Sequence, residues 1–453
     1  MPPTNFTTRV SSEELRRLLS ERRWDDLREA ARDWPPAEVA EFLGELDHDA
    51  RVLLFRALPR EKTANIFTHL EGDHRRALLK ELTDDETRGL LAGLPPDDRA
   101  QVLHELPALV TQEILHLLPP EDQHEVRTLL GYPEDSVGRL MTPDYVAVHP
   151  QWTVEEALTH VRRVGRDAET VNRIYVVDDQ GLLIDDIRLR SLVLSPGKAH
   201  IQDLMDNAYV SVSAFADREE AVEAIQRYDV VALPVLDSDG VLLGIVTVDD
   251  LLDVAEAEAT EDFHRVASVG PLETSLREAR VGLLYRRRVG WLLTLVLVNV
   301  FSGAGIAYFE DVIAATVALV FFLPLLIDSS GNAGSQSATL VVRALATGDV
   351  HARDWLDLLR RELGVALLMG LTMAVAVSAM GIYRGGVEVA VVVSLTMIAV
   401  VITGSLVGIS LPFILHRFGL DPATASAPLV TSIADITGVL IYFSLASWYL
   451  SGV

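Results

Sequence analysis

Residues 286–309 read RRRVGWLLTLVLVNVFSGAGIAYF: three arginines, then an apolar run without a charged side chain. A helix needs about 20 apolar residues to cross a bilayer, so the run predicts a membrane span. Cytoplasmic flanks carry the excess of Lys and Arg, so the arginines keep their end inside the cell. The stretch also divides the chain. Charged residues crowd positions 1–288 and apolar runs fill 289–453. That segregation reconciles a formal net charge of −26 with 49% hydrophobic residues and a mean hydropathy of +0.25. A soluble acidic region attached to a membrane region is expected.

Spans are predicted at about 289–309, 312–327, 362–383, 387–415 and 428–450. The second is short and is expected to continue after a break. Arg343, Arg353, Arg360 and Arg361 fall between the second and third spans, as a cytoplasmic loop requires. An odd count leaves the N-terminal region cytoplasmic and the C-terminus outside. The acidity argues against a nucleic-acid partner, because phosphate binding needs a basic surface. With no cysteine, thiolate metal sites and disulfides are excluded. The first ten residues, MPPTNFTTRV, lack the apolar core of a signal peptide, so the first span is expected to direct targeting.

Two features inside the membrane region carry chemistry. Asp435 sits in TSIADITG, 431–438. A carboxylate at membrane depth costs roughly 2.5–3.5 kcal/mol on insertion scales, so it normally faces a polar cavity. No lysine or central arginine in the last two spans is available to pair with it. The second feature is PLLIDSSGNAGSQS, 324–337, polar and glycine-containing between apolar segments. It is expected to be a broken helix, whose free carbonyls meet cations. Carboxylate, amide and carbonyl oxygens are hard ligands suited to magnesium or calcium. One acid per chain makes a weak site; a dimer would place two Asp435 carboxylates around one axis.

The soluble region begins with a repeat. Leu46, Leu58, Leu70, Leu82, Leu94, Leu106, Leu118 and Leu130 recur every twelve residues. Four positions before each stands another apolar residue: Phe42, Leu54, Ile66, Leu78, Leu90, Val102, Ile114 and Val126. Each i, i+4 pair is one stripe of a helix of about two turns. Helices so short must stack on neighbours, which predicts an all-α solenoid over 1–135.

A duplicated β-α pattern follows. Met141–Val148 is echoed by Met205–Val212, each leading into an amphipathic helix, a buried strand run and a turn. Asp237-Ser238-Asp239-Gly240 is read as a hairpin turn, since the remainder of a calcium loop is missing. This arrangement resembles a tandem pair of CBS modules, 136–200 and 201–255. In such pairs a Thr-x-x-Asp at the last strand meets a ribose, and Thr247 with Asp250 fits it. The first copy departs, with Ser191 in place of the Asp and Arg173 in place of an aromatic, which argues against ATP. Residues 249–264 hold seven acids and no proline or glycine and predict an acidic helix, leading into a connecting helix placed at 256–285.

The whole order resembles the MgtE family of magnesium channels. The most specific matches are Gly331–Thr339, Val248–Asp253 with Glu256–Asp262, and Pro428–Val430 leading to Asp435–Gly438. The resemblance implies a homodimeric, non-enzymatic channel in the inner membrane bilayer, with a five-span helical bundle at 286–453. It implies that Asp435 handles hydrated magnesium, and Asn332, Gly331 and Asp328 are read as further candidates for the pore. It further implies that Asp217, Glu219, Asp229, Asp250, Asp253, Glu258, Glu261 and Asp262 bind regulatory magnesium that closes the pore. Asp328 stands where family members have glycine, Ala427 and Ser335 where they have asparagine. The extra acid leaves one rival reading, a secondary transporter of magnesium, cobalt or manganese coupled to protons or sodium. An anion channel is disfavoured by the intramembrane acids.

Overall fold

The structure is a computed structural model that describes residues 12–32, 34–270, 279–425 and 427–450. It forms two compact units, Met1–Glu256 and Ala257–Val453.

The first unit opens with ten short helices, the last eight of them one per twelve-residue repeat. They are α1 (Ser12–Ser20), α2 (Trp24–Arg32), α3 (Pro36–Glu45), α4 (His48–Ala57), α5 (Arg60–Thr68), α6 (Gly72–Glu81), α7 (Asp84–Leu91), α8 (Pro96–His104), α9 (Ala108–Leu115) and α10 (Pro120–Leu130). Several pack on the helix two along, as in α3 on α5, α4 on α6 and α8 on α10. The residues four before each repeat leucine are all buried in one core. Helix ends this frequent leave many carbonyls without partners. The side chain five positions after the leucine satisfies them. Arg51 donates to Leu43 O and Leu46 O, Arg99 to Leu91 O and Leu94 O, each at 2.9 Å. Gln123 does the same for Leu118 O at 2.9 Å. The prolines after the leucines stand at N-caps, at Pro59, Pro95, Pro107 and Pro119, one place earlier than first-turn proline.

After the short α11 (Val137–Leu140) come two copies of one sheet motif. In the first, β1 (Ala147–Val148) runs parallel to β2 (Arg173–Val177), which is antiparallel to β3 (Leu183–Arg188). In the second, β4 (Val212–Ser213), β5 (Ala232–Leu236) and β6 (Leu242–Thr247) repeat that pairing. The parallel pairs are joined by α12 (Val154–Val164) and α14 (Arg218–Tyr228), with α13 (Leu189–Leu194) between the copies. The copies lock reciprocally: Leu183 N donates to Gly240 O, and Leu242 N to Gly181 O. Asp237 Oδ1 accepts from Asp239 N and Val241 N at 2.9 Å, so its turn is the expected hairpin. The acidic helix is α15 (Val248–Val266). It begins directly off β6 and covers 256–266 of the connecting helix placed at 256–285; residues 271–278 of that segment are outside the described residues.

The second unit holds α16 (Val281–Tyr308), α17 (Glu310–Ala315), α18 (Leu323–Ala346), α19 (Trp355–Arg417) and α20 (Ala427–Leu450). Among the described residues, four helices are long and apolar enough to cross a membrane. The predicted spans 362–383 and 387–415 fall on the two helices that meet within α19, whose chain reverses between them at Gly386, φ 81° and ψ −176°. Only glycine takes that backbone region readily. The arms lie antiparallel, since Ser394 Oγ donates to Ala374 O and a Cβ on Gly381 would meet Ala390 Cα at 2.7 Å.

The predicted break at 324–337 is corrected. It is uninterrupted helix inside α18. Its hydroxyls satisfy themselves locally, Ser329 on Leu325 O and Ser337 on Ala333 O, so polarity there needs no broken backbone. The discontinuity lies earlier, at Thr316 (φ −138°, ψ 78°), followed by a 3-10 turn over Val317–Phe322.

Candidate functional site

Glycine and serine on α18 serve close approach. A Cβ on Gly404 would sit 2.3 Å from Ser330 O, and one on Gly408 2.1 Å from Gly334 O. Gly334 is equally tight against Val430, and Gly331 against Thr431 at 2.8 Å. Ser330 Oγ donates to Val400 O across the same seam. One face of α18 is thereby fixed against α19 and α20. Gly331 belongs to that packed face and is buried.

The opposite face of α18 is polar and open. Asp328, Asn332 and Gln336 recur at i, i+4 and i+8, and all three are exposed. Asn332 Nδ2 donates to Asp328 Oδ2 at 3.0 Å. On α20, Thr431 precedes Asp435 by one turn, and Ser335 Oγ lies 3.3 Å from the Thr431 hydroxyl. Asp435 Oδ1 is buried with no protein partner. Asp328 and Asp435 are close enough to interact electrostatically. The sequence-chosen residues Asp435, Asp328 and Asn332 are thus brought together.

A second acidic set forms in the first unit. The start of α15 carries Asp249, Asp250 and Asp253, and the start of α8 carries Asp97 and Asp98. Asp97 is 8% exposed and its Oδ1 has no partner. Burial, then Asp250, Asp98 and Glu169, hold its carboxyl well above the ordinary range. Burial also raises Asp250 to about 7, with Asp249, Asp98 and Glu169 adding to the rise and a hydrogen bond from Thr247 opposing it. Thr247 Oγ1 lies 2.7 Å from Asp250 Oδ2 and 2.5 Å from Asp249 Oδ1. The pair expected at a ribose is therefore engaged with itself. Like charges this desolvated favour a proton or a cation among them.

The remaining expected regulatory acids lie elsewhere. Asp217 caps α14 through Glu219 N, and both residues are exposed. Asp229 follows α14 in the left-handed region, φ 51°. It lines a cleft of about 750 Å³ with Arg173, Arg188 and Arg190. Glu258, Glu261 and Asp262 belong to the second unit, where burial and then Glu258 raise Asp262. Among the described residues no three His, Asp or Glu side chains stand in ready coordinating geometry. Asp97, Asp98 and Glu169 escape sequence reading. Acids in a first helical turn are ordinary dipole partners, and only the packing of α8 sets them apart.

The comparisons divide the chain in the same order. A family model described as a divalent cation transporter matches residues 323–445. One for the MgtE intracellular N domain matches 34–135, and the CBS domain model matches 137–193 and 201–257. The magnesium transporter MgtE of Thermus thermophilus is 43% identical over 73% of both chains. That of Bacillus subtilis is 36% identical over 72% of both. Among solved structures, the cytosolic domain of the Mg2+ channel MgtE in complex with ATP matches with a TM-score of 0.53 and 36% identity. That match covers 54% of this chain and all of the other. The soluble part of a magnesium transporter matches with a TM-score of 0.52, at 30% identity over 55% of this chain and all of the other.

Proposed function

The chain belongs to the MgtE family of divalent cation transporters, and from that premise we propose a magnesium-selective channel closed by cytoplasmic magnesium. One observation carries the permeation half. Asp435 Oδ1 is buried without a protein partner, beside the open Asp328–Asn332 face. Carboxylate and amide oxygens there suit a hard cation, and magnesium keeps much of its water in such sites. In a homodimer the two Asp435 carboxylates would share the axis. With the two helices of α19 counted separately we read five spans, with the N-terminal unit inside and the C-terminus outside. Because the chain has no native cysteine, single cysteines at the two ends test that topology directly by labelling from either side.

The gating half rests on the buried acids at α8 and α15, which repel when ionised and are drawn together by a divalent cation. The arginine-lined cleft supports a phosphate-bearing ligand, although Ser191 offers no carboxylate to a ribose. The deciding measurement is magnesium flux into liposomes of pure protein. Asp435→Asn is expected to cut it at least tenfold while the protein stays monodisperse; undiminished flux removes Asp435 from the pathway. Flux that stops without a proton or sodium gradient would instead favour the coupled transporter with Asp328 as its second acid.

A further inference from the structure

Arg265 occupies a position that neither the pore nor the acid sensor uses. It is the next-to-last residue of α15, in the second unit. Its guanidinium makes ion pairs in two directions, to Glu261 on its own helix and to Asp421 in the loop between α19 and α20. Asp421 Oδ1 also accepts from Ala423 N at 2.7 Å and caps the 3-10 turn Pro422–Thr424. That turn leads directly into α20, which carries Asp435 eight positions after its first residue, Ala427.

The contact is more than one ion pair. Val266, next to Arg265, packs against a cluster of Val342 on α18, Leu411 and Leu415 on α19, and Ala423 and Ala425 in the loop. Asp262, one turn back, feels the positive charge of Arg343 on α18. The last turn of the acidic helix is therefore seated on the ends of the helices that frame the Asp328–Asp435 site.

We propose that Arg265 is a positioning residue for transport, a built-in cation that holds Glu261 to Asp421 without metal. Two carboxylates facing each other would repel, and the guanidinium, with its planar fork, bridges both. The end of α15 then stays docked on the loop entering α20 even when no divalent cation is bound. The proposal rests on the channel reading for its consequence in flux, but not for the contact itself. Partly exposed ion pairs are individually weak, so the expected effects are several-fold rather than orders of magnitude.

The experiment uses the full chain in lipid nanodiscs without magnesium and follows hydrogen exchange of amides 258–266. Arg265→Gln is expected to speed exchange there by about three- to tenfold, while exchange in α12 stays unchanged. Arg265→Lys, which keeps the charge, should restore most of the protection. Asp421→Asn keeps the cap to Ala423 and loses only the charge, and should match Arg265→Gln, with no further loss when the two are combined. In liposomes, Arg265→Gln should also raise several-fold the magnesium needed to halve the flux. Unchanged exchange in Arg265→Gln, or no rescue by lysine, overturns the role whatever the channel does. Because exchange is read without flux, a failure of magnesium gating leaves it standing.

Discussion

The α18–α20 seam and the α8–α15 contact both bury carboxylates, and they do so by opposite means. At the seam the backbone is fixed first. Glycines at 331, 334, 404 and 408 bring three helices into contact, and the acids project from scaffolding that has no room to move. At α8 and α15 the acids themselves meet, from two separate elements of sequence. A rigid site suits an ion that must bind briefly and leave. A site split between two elements suits an ion whose binding must change their separation. The distinction follows from what stands behind the carboxylates, since the carboxylates are alike.

The largest effect should come from breaking the rigid side. Gly408→Val would place a branched side chain where a single Cβ already meets Gly334 O at 2.1 Å. Overpacking of that kind costs about 1–3 kcal/mol or more, and here the obstacle is backbone. The variant is expected to lose monodispersity in detergent, and normal folding would show that the seam is softer than its geometry. Loss of flux in Asp435→Asn, at least tenfold, ranks next because it removes the charge and keeps the scaffold.

The softer side responds to protons. Asp250 holds its proton to about pH 7 in the folded chain, against about 4 when unfolded. A raised carboxyl favours the folded state fully below pH 4, and the advantage fades as pH rises through 7. Asp97 and Asp98 are shifted the same way. Without magnesium, the thermal midpoint of the cytosolic unit should therefore fall between pH 5 and pH 8. Magnesium should flatten that slope by taking the proton's place. Asp250→Asn should stabilise the magnesium-free protein at pH 8 by about 1–3 kcal/mol and reduce the slope. A midpoint that rises with pH would reverse the sign and remove these acids from sensing.

The two regions were also unequally legible. The span at 286–309, the twelve-residue repeat and the paired β-α modules follow from periodicity, because hydrophobic spacing is local information. Asp435 was legible for the same reason, as a lone acid in an apolar run. The polar stretch 324–337 misled because composition cannot separate a broken helix from a helix with one polar face. The i, i+4, i+8 spacing of Asp328, Asn332 and Gln336 held that answer. Gly386 gave no sign of being the reversal between two spans beyond falling between them. Asp97 and Glu169 were not legible at all, since their significance arises only when α8 meets α15, a contact far apart in sequence.

The smallest effect sharpens the comparison most closely. Asp253 stands one turn after Asp250 on α15, yet it is exposed. Burial raises its carboxyl too, followed by Glu256 and Asp249, but His69 and Arg75 offset those neighbours. Water around it screens its charge, so its repulsion counts for little. Asp253→Asn should move the magnesium-free thermal midpoint by less than about 0.5 kcal/mol in equivalent stability. The magnesium needed to halve the flux should change by less than about twofold. An effect as large as that of Asp250→Asn would mean that the number of acids, rather than their burial, sets the sensor's strength.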